Sequence, residues 1–342
     1  MQHPRDVLLG AQAAFGLLPV CDHYSGVPAR MRKSLELQRA LTVEFGACVF
    51  DVTLDCEDGA PVGAEAEHAA LVVELVRDAM AQGDKLPAAI RPRIAVRVHP
   101  VDHPAFDGDI DTVIRGAGAM LCHLMVPKVE SVSDVERAVA AIDSATQDPA
   151  VRALPLHVLV ESPAAVHRVF DIAAHPRVQS ISFGLMDFVS AHGGAIPAHG
   201  MSGAGQFSHP LVVRAKLEIA SACHAHGKAP SHCVVTEFRD VAAIEKAARI
   251  AASEMGFTRM WSIHPDQIRP ILAAFAPSQA EIGVASEIVA LAQAANWAPI
   301  DYQGRLHDRA SYRLYWQILE RAHRTGQALP EKARRLFAAS LQ

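Results

Sequence analysis

The chain lacks any block of like charges: its 342 residues carry 32 Lys and Arg against 37 Asp and Glu, a formal net charge of −5. Proteins that bind nucleic acid need clustered Lys and Arg to contact phosphates, so nucleic acid is not an expected partner. Long hydrophobic runs are also missing, and no uncharged stretch approaches the roughly 20 residues that span a bilayer. We therefore expect a soluble globular protein with a small-molecule substrate and no membrane partner.

The six cysteines show neither a CxxC pair nor ligand-like spacing, and they lie at positions 21, 48, 56, 122, 223 and 233. This pattern argues against a zinc site or a disulfide framework and favours buried, reduced thiols in a cytoplasmic protein. The segment 7–20 resembles a targeting signal, but Asp6 cancels the charge of Arg5 before it and no small-x-small cleavage site follows. We expect no signal peptide.

Short runs rich in Val, Ile and Leu alternate with segments of helical periodicity along most of the chain. Eight runs are candidate strands, at residues 15–20, 47–55, 94–100, 121–128, 156–162, 178–184, 228–235 and 259–265. The segment 28–45 between the first two has a helical pattern. Later segments space apolar residues by three and four, which predicts a stripe facing a sheet, for example Val166, Val169, Phe170 and Ala173.

Eight strand–helix units over about 275 residues favour a closed (β/α)8 TIM barrel, although a doubly wound open sheet would show the same local pattern. No shift in composition precedes Pro277. We therefore predict a barrel catalytic domain over residues 1–276 and a C-terminal helical extension over 277–342. The extension contains two helices separated by a loop at 296–307, and we expect it to serve oligomerisation and completion of the active site.

Acidic residues follow several of the candidate strands. Four lie in DVTLDCEDG (51–59), Glu161 follows LHVLV, and Asp187 follows SISFGLM. The carboxyl ends of barrel strands carry the chemistry, and neighbouring strands lie about 4.8 Å apart, so Glu161 and Asp187 can converge. Two such carboxylates attract a hard divalent cation such as Mg2+. In the alternative interpretation, Glu161 is an N-cap partner for the helix that opens at 162–163, and Asp187 is a solvated loop acid.

Two basic residues each have two interpretations. Arg97 interrupts the apolar strand IAVRVHP, and it either pairs with the acids of 55–58 or presents its guanidinium to a substrate carboxylate. Lys128 either neutralises a substrate anion or forms a salt bridge with Glu57 or Glu130. The glycine-rich segment 193–205 does not fit the dinucleotide-binding pattern, and we interpret it as a mobile loop over the site.

Six motifs, in order over residues 51–268, resemble the HpcH/HpaI aldolase superfamily, which includes the citrate lyase beta subunit and malyl-CoA lyases. LDCEDG resembles D-L-E-D-(A/G), VRVHP resembles V-R-(V/I)-N, and MVPKVES resembles L-P-K-x-E-(S/T). VLVESPAAV resembles A-x-(I/V)-E-(T/S)-x-x-G-(V/A), SFGLMDFV resembles G-x-x-D-(F/Y/L), and WSIHPDQI resembles W-x-I-H-P-x-Q-I. The chain is thus similar to citrate lyase beta-like proteins.

The resemblance implies a Mg2+-dependent carbon–carbon lyase on a (β/α)8 barrel. It assigns Glu161 and Asp187 to the metal, Arg97 to the oxo-acid carboxylate, and Asp58 to an acid that lines the catalytic site. Cleavage beta to a hydroxyl leaves an enolate, whose charge Mg2+ stabilises as a Lewis acid. The expected reaction cleaves or condenses a β-hydroxy acid or its CoA thioester.

In the malyl-CoA lyases, a loop of form D-G-(K/R)-M-x-D from a neighbouring subunit supplies an acid/base aspartate. DYQGRLHD (301–308) is similar, which assigns that role to Asp308 and implies a homo-oligomer, a trimer or hexamer. The alternative interpretation of Asp308 is an N-cap for the helix that follows.

The family's opening motif R-S-x-L-(F/Y)-x-P-G is absent, and FGLLPVCDHYSGVPARM stands in its place. A CoA thioester and a free oxo-acid therefore both remain candidate substrates. Two other functions also remain open. One is a thioester hydrolase on the same scaffold, and the other is a non-catalytic subunit that binds Mg2+ and an oxo-acid.

Overall fold

The structure is a computed structural model that describes residues 3–10, 18–59, 61–83, 86 and 90–338. Eight parallel strands close into a barrel in chain order, with β1 paired to both β2 and β8, which confirms the predicted (β/α)8 fold. The barrel strands are β1 (Cys21–Ser25), β2 (Phe50–Asp55), β3 (Ile94–Arg97), β4 (His123–Val126), β5 (Leu156–Val160), β6 (Val178–Phe183), β7 (Ala229–His232) and β8 (Arg259–Ser262).

Helices surround the barrel and continue beyond it. Before the extension they are α1 (Pro4–Leu9), α2 (Pro28–Phe45), α3 (Glu65–Gly83), α4 (Phe106–Ala117), α5 (Val132–Ala145), α6 (Pro149–Arg152), α7 (Pro163–His167), α8 (Val169–Ala174), α9 (Leu185–Ser190), α10 (Pro210–Ala225), α11 (Val241–Ser253) and α12 (Ile268–Phe275). The extension adds α13 (Gln279–Ala294), α14 (Arg309–Arg324) and α15 (Glu331–Ala338). None of the helices in the described ranges is both long and apolar enough to cross a bilayer.

The first strand lies later than the sequence predicts, at Cys21–Ser25 rather than at residues 15–20. Residues 15–17 lie outside the described residues, and residues 18–20 are not in a strand. Asp22 of β1 is buried, where its carboxylate accepts a hydrogen bond from the Thr53 hydroxyl at 2.7 Å and lies 3.1 Å from Arg259. The polar segment Cys21–Ser25 forms a strand because the barrel interior supplies hydrogen-bond and ion-pair partners for side chains such as Asp22.

The amino-terminal end of the barrel interior contains a layer of ion pairs. Arg259 Nη2 lies 2.6 Å from Asp51 and 3.1 Å from Asp22, and Arg93 Nε lies 2.5 Å from the other oxygen of Asp51. Two guanidinium groups thus face two carboxylates, which reduces the cost of burying the charges.

An apolar layer lies inside the barrel above these ion pairs. It consists of the buried residues Tyr24, Met125, Leu159 and Trp261. The rings of Tyr24 and Trp261 stack with centroids 4.9 Å apart. This layer separates the charged end of the barrel from the mouth at the carboxyl ends of the strands.

The helical segment after β5 differs from the predicted stripe. Val166, Val169 and Ala173 are buried as expected, but Phe170 is 45% exposed. Two short helices, α7 and α8, replace one continuous helix, and Arg168 between them has non-helical dihedral angles. This break shifts the helical phase, so Phe170 no longer lies in the apolar stripe.

The C-terminal extension has its own hydrophobic cluster, separate from the barrel core. Trp316 of α14 and Ile288 of α13 are fully buried in it, and α1 contributes Leu8 and Leu9. The amino-terminal helix therefore packs with the extension. The domain boundary between residues 276 and 277 stays a prediction.

The predicted loop at 296–307 contains a hairpin of β9 (Ile300–Tyr302) and β10 (Arg305–His307). Its two turn residues, Gln303 and Gly304, have φ angles of 55° and 73°, as a type I′ turn requires. The sequence analysis did not predict this hairpin within the loop, because Gln in the left-handed region gives no strong sequence signal. The side chain of Leu306 is 76% exposed on this hairpin.

Candidate active site

Arg97 and Asp55 are neighbours across β3 and β2 at the carboxyl end of the barrel. Arg97 Nε donates to Asp55 Oδ1 at 2.7 Å, and Nη2 donates to Oδ2 at 2.8 Å. Asp55 also accepts hydrogen bonds from the backbone N–H groups of Glu57 and Gly59, each at 2.9 Å. These four bonds allow the two buried charges to exist away from water.

Two more acids of the 51–59 stretch contact the same guanidinium. Glu57 Oε2 lies 2.7 Å from Arg97 Nη1, and Asp58 Oδ2 lies 3.0 Å from Nη2. The pairing of Arg97 with the acids of 55–58 is therefore confirmed. The Asp58 side chain is 73% exposed, whereas those of Asp55 and Glu57 are buried. Asp58 is the partner that an incoming anion can replace most easily.

Two glycines hold the loop after β2 against the loop after β1. A Cβ on Gly26 would lie 2.3 Å from the Cα of Gly59, and a Cβ on Gly59 would lie 2.2 Å from the Cα of Gly26. A side chain at either position would push the loops apart and displace the adjacent Asp58. This contact gives a physical reason for the final glycine of LDCEDG.

Lys128 connects the acids after β2 to those after β5. Its Nζ donates to Glu57 at 2.6 Å, and its backbone N–H donates to Glu161 Oε1 at 2.9 Å. Of its predicted interpretations, the salt bridge to Glu57 forms, and the side chain stays 44% exposed. Burial lowers the pKa of Lys128, but the bond to Glu57 outweighs this and raises the pKa above its usual value.

Glu161 is buried where β5 ends, with 6% of its surface exposed. The interpretation of Glu161 as an N-cap partner is wrong, because Ser162 caps α7 by accepting a hydrogen bond from Ala165 N–H at 3.0 Å. Gly184, at the end of neighbouring β6, makes room for the carboxylate. A Cβ on Gly184 would lie 2.4 Å from Glu161 Oε2.

Asp187 lies in the first turn of α9, just after β6, and its side chain is exposed. It lines the same cavity of about 440 Å³ as Glu161 and Lys128. Burial raises the pKa of Glu161 to about 8, and the charges of Asp187 and Glu57 add to the rise. A hard cation relieves this repulsion, and Mg2+ takes one or two carboxylates plus waters or substrate oxygens. The donor set therefore fits Mg2+.

Asp308 lies outside this cavity, on the extension. It is the N-cap of α14, and its Oδ1 accepts from the N–H groups of Ala310 and Ser311 at 3.0 and 3.4 Å. The N-cap interpretation is confirmed. Within one protomer, the other five predicted site residues gather at the barrel mouth, and Asp308 does not join them.

The polar residues at the amino-terminal end of the barrel have no counterpart in the sequence-based prediction. Asp22, His123 and His157 bring one potential ligand atom each within 4.8 Å of the others. Arg259 lies 3.1 Å from Asp22, and its positive charge disfavours a cation there. Histidines inside the apolar runs LCHLMVPK and LHVLVES were the available signal for a polar barrel interior.

A model of the HpcH/HpaI aldolase/citrate lyase family matches residues 38–265. The chain belongs to this family. An L-malyl-CoA/beta-methylmalyl-CoA lyase of Cereibacter sphaeroides is 31% identical over 299 residues, which cover 83% of this chain and 91% of that protein. A (3S)-malyl-CoA thioesterase of the same species is 28% identical, over 77% of this chain and 80% of that protein.

Solved structures show the same architecture. The crystal structure of a citrate lyase from Burkholderia xenovorans LB400 is 47% identical, with a TM-score of 0.75 over 98% of this chain and 99% of that one. CitE of Mycobacterium tuberculosis, in complex with magnesium, acetoacetate and coenzyme A, shares the fold with a TM-score of 0.61. It is 20% identical over 89% of this chain and 98% of that one. The family membership confirms the resemblance and the expectation of an enzyme of the lyase class.

Proposed function

We propose that the chain is a Mg2+-dependent carbon–carbon lyase that cleaves, or in reverse condenses, a β-hydroxy acid or its CoA thioester. One observation carries the proposal: Glu161 and Asp187, from the exits of consecutive strands, line one cavity at the mouth that holds Arg97. The malyl-CoA lyase relative and the magnesium, acetoacetate and coenzyme A complex of CitE support this class.

Glu161 and Asp187 would hold Mg2+ through their carboxylate oxygens. When bound, Mg2+ supplies a Lewis acid where negative charge develops on the substrate. Glu161 is oriented for this role by the backbone N–H of Lys128 and by its contact with Gly184. Only the ionised carboxylate is a good ligand, so the metal has to displace the proton that burial favours.

Arg97 orients the carboxylate of the substrate. The substrate replaces the exposed Asp58 at Nη2, while the paired bonds to Asp55 keep the guanidinium plane fixed. The half-exposed Nζ of Lys128 adds a second positive charge at the same mouth. A fixed guanidinium restricts the substrate to productive orientations, which lowers the entropic part of the barrier.

Asp308 supplies the acid/base group from a neighbouring subunit. The hairpin of β9 and β10 exposes Arg305 and Leu306 next to Asp308, away from the cavity of its own protomer. A group of this kind contributes about 10² to 10⁴ in rate. The active protein is then a homo-oligomer in which each site is completed by a partner.

Product analysis tests the proposal. The protein is incubated with malyl-CoA and Mg2+, and the products are separated by chromatography. A lyase releases glyoxylate and acetyl-CoA, and Glu161→Gln lowers turnover by about 10²-fold or more, because it removes a charged metal ligand. The exposed Asp171→Asn on α8 is the matched control and keeps full turnover.

Other products identify the other candidates. Malate and free CoA would indicate the thioester hydrolase that the thioesterase relative supports. Mg2+-dependent stabilisation by an oxo-acid, without turnover of malyl-CoA or of free β-hydroxy acids, would indicate a non-catalytic binding subunit. Either result contradicts the lyase proposal.

A further inference from the structure

A second cavity, of about 370 Å³, lies at the opposite end of the barrel. It is bounded by the amino ends of β7 and β8 and by helices α1 and α14. Its size falls within the range of small-molecule sites, roughly 300 to 1,000 Å³. Six Lys and Arg residues line it: Arg5, Lys228, Arg259, Arg313, Arg321 and Arg324. Glu320 is the single acid among the described lining residues.

Arg259 borders this cavity, but its guanidinium group is engaged inside the barrel. Its Nη2 pairs with Asp51 and Asp22, but its Nε and Nη1 have no hydrogen-bond partner among the described residues. The residue is only 1% exposed, so these N–H groups are closed off from the cavity as well as from bulk water. Asp51 and Asp22 already pair with the charge of Arg259, so the groups that contact an anion in the cavity come from α14.

Arg321 and Arg324 face the same cavity from one side of α14. Within the described parts of the chain, neither side chain forms a hydrogen bond or a salt bridge, whereas the preceding Glu320 pairs with Arg5 at 3.3 Å. Burial lowers the pKa of Arg324 to about 10, and the charge of Arg93 contributes in the same direction. Partly buried cations in one cavity repel each other unless an anion lies between them.

The cavity is not an extension of the candidate active site. Glu161 and Asp187 lie at the carboxyl ends of the strands, and Arg259 is the first residue of β8, at the amino end. The apolar layer that includes Leu159 and Trp261 lies between the two ends. A ligand in this cavity therefore does not contact the lyase residues.

We propose that this cavity binds a small polyanion, a molecule with two or more carboxylate or phosphate groups, held by Arg321 and Arg324. Guanidinium groups bind both kinds of oxyanion through paired N–H donors. The site is separate from the proposed lyase chemistry, so either assignment can fail without the other. Citrate carries carboxylate groups and pyrophosphate carries phosphate groups, so separate titrations with the two compounds distinguish these ligand chemistries.

Isothermal titration calorimetry on the full chain tests this site, in buffer freed of metal ions by chelating resin and at constant ionic strength. We expect citrate or pyrophosphate to bind at one site per chain. The Glu161→Gln variant should bind the same compound with the affinity of the natural chain. Arg324→Gln weakens binding about tenfold, and Arg321→Gln with Arg324→Gln about a hundredfold, since each removes a charge-assisted hydrogen-bond donor.

The matched control is Arg334→Gln with Arg335→Gln, which removes two charges from the exposed face of α15 outside the cavity and keeps the affinity within about threefold. The double variant in the cavity keeps its lyase turnover and unfolds at the same or a higher temperature without ligand, because repelling charges are gone. Lack of binding by both probes, or equal weakening in both double variants, would overturn the proposal. Binding lost in Glu161→Gln instead would place the anion in the lyase cavity.

Discussion

At the scale of single residues, solvent access separates the acids of the mouth into different roles. Asp58 is 73% exposed and shares Arg97 with two buried acids, so it can leave when an anion arrives. Glu161 is 6% exposed, and burial raises its pKa to about 8. The sequence shows two carboxylates after two strands, and only packing makes one of them a buried group that holds its proton more tightly than a free carboxyl does.

The raised pKa of Glu161 predicts a pH-dependent stability of the metal-free protein. Below about pH 4.5 Glu161 is protonated in both the folded and the unfolded chain, so its full contribution to stability is present. Between pH 4.5 and 8 the folded chain keeps a proton that the unfolded chain releases, so the contribution is lost as pH rises. The side chain that Glu161→Gln introduces does not titrate. The free energy of unfolding of this variant, relative to that of the natural chain, therefore rises by several kcal/mol between pH 4.5 and pH 8, at about 1.4 kcal/mol per pKa unit.

Urea unfolding at pH 5, 6.5 and 8 measures this difference. The exposed Asp171→Asn serves as control and should show a difference from the natural chain that does not change with pH. A difference for Glu161→Gln that is equally flat would contradict the buried environment of Glu161. Addition of Mg2+ at pH 8 should restore the stability of the natural chain and leave the variant unchanged.

At the scale of elements, one residue can close a helix and serve chemistry at the same time. Asp308 caps α14 through Oδ1, which leaves Oδ2 without a hydrogen bond from the described residues. The rigid hairpin before it fixes the position of the cap relative to β9 and β10. The N-cap interpretation and the acid/base interpretation are therefore compatible.

Asp308→Asn separates the two roles, because Asn is as good an N-cap as Asp but does not exchange a proton. We expect the melting temperature to stay nearly unchanged and kcat to fall about 10²-fold or more. Asp240→Asn, at the N-cap of α11, is the matched control and should change neither quantity much. A kcat close to that of the natural chain would remove Asp308 from the mechanism.

At the scale of the whole molecule, the extension and the amino-terminal helix pack together, while the proposed lyase residues lie at the barrel mouth. Asp308 does not reach the cavity of its own protomer. If it completes a site, the polypeptide that carries it belongs to another subunit. Catalysis then depends on assembly and not on the barrel alone.

Subunit mixing tests this dependence. Glu161→Gln and Asp308→Asn chains, each inactive alone, are co-expressed with different tags and purified as mixed oligomers. Sites that combine a natural cavity from one chain with a natural Asp308 from the other recover activity. Mixed oligomers that stay as inactive as the parents would show that both groups act within one chain.

The periodicity of the sequence determined a parallel α/β fold, because strands buried on both faces require apolar runs and the crossover helices require apolar stripes. The number of strand–helix units favoured a barrel over an open sheet, and the structure shows the closure. The position of Glu161 and Asp187 after consecutive strands likewise predicted their common cavity, since parallel strands end at the same edge. β1 was misplaced because Asp22 is stabilised by Thr53 and Arg259, residues far away in the sequence. Only the tertiary structure decided which charges are buried, which donors of Arg259 stay unpaired and that Asp308 lies outside its own cavity, because each depends on contacts between distant segments.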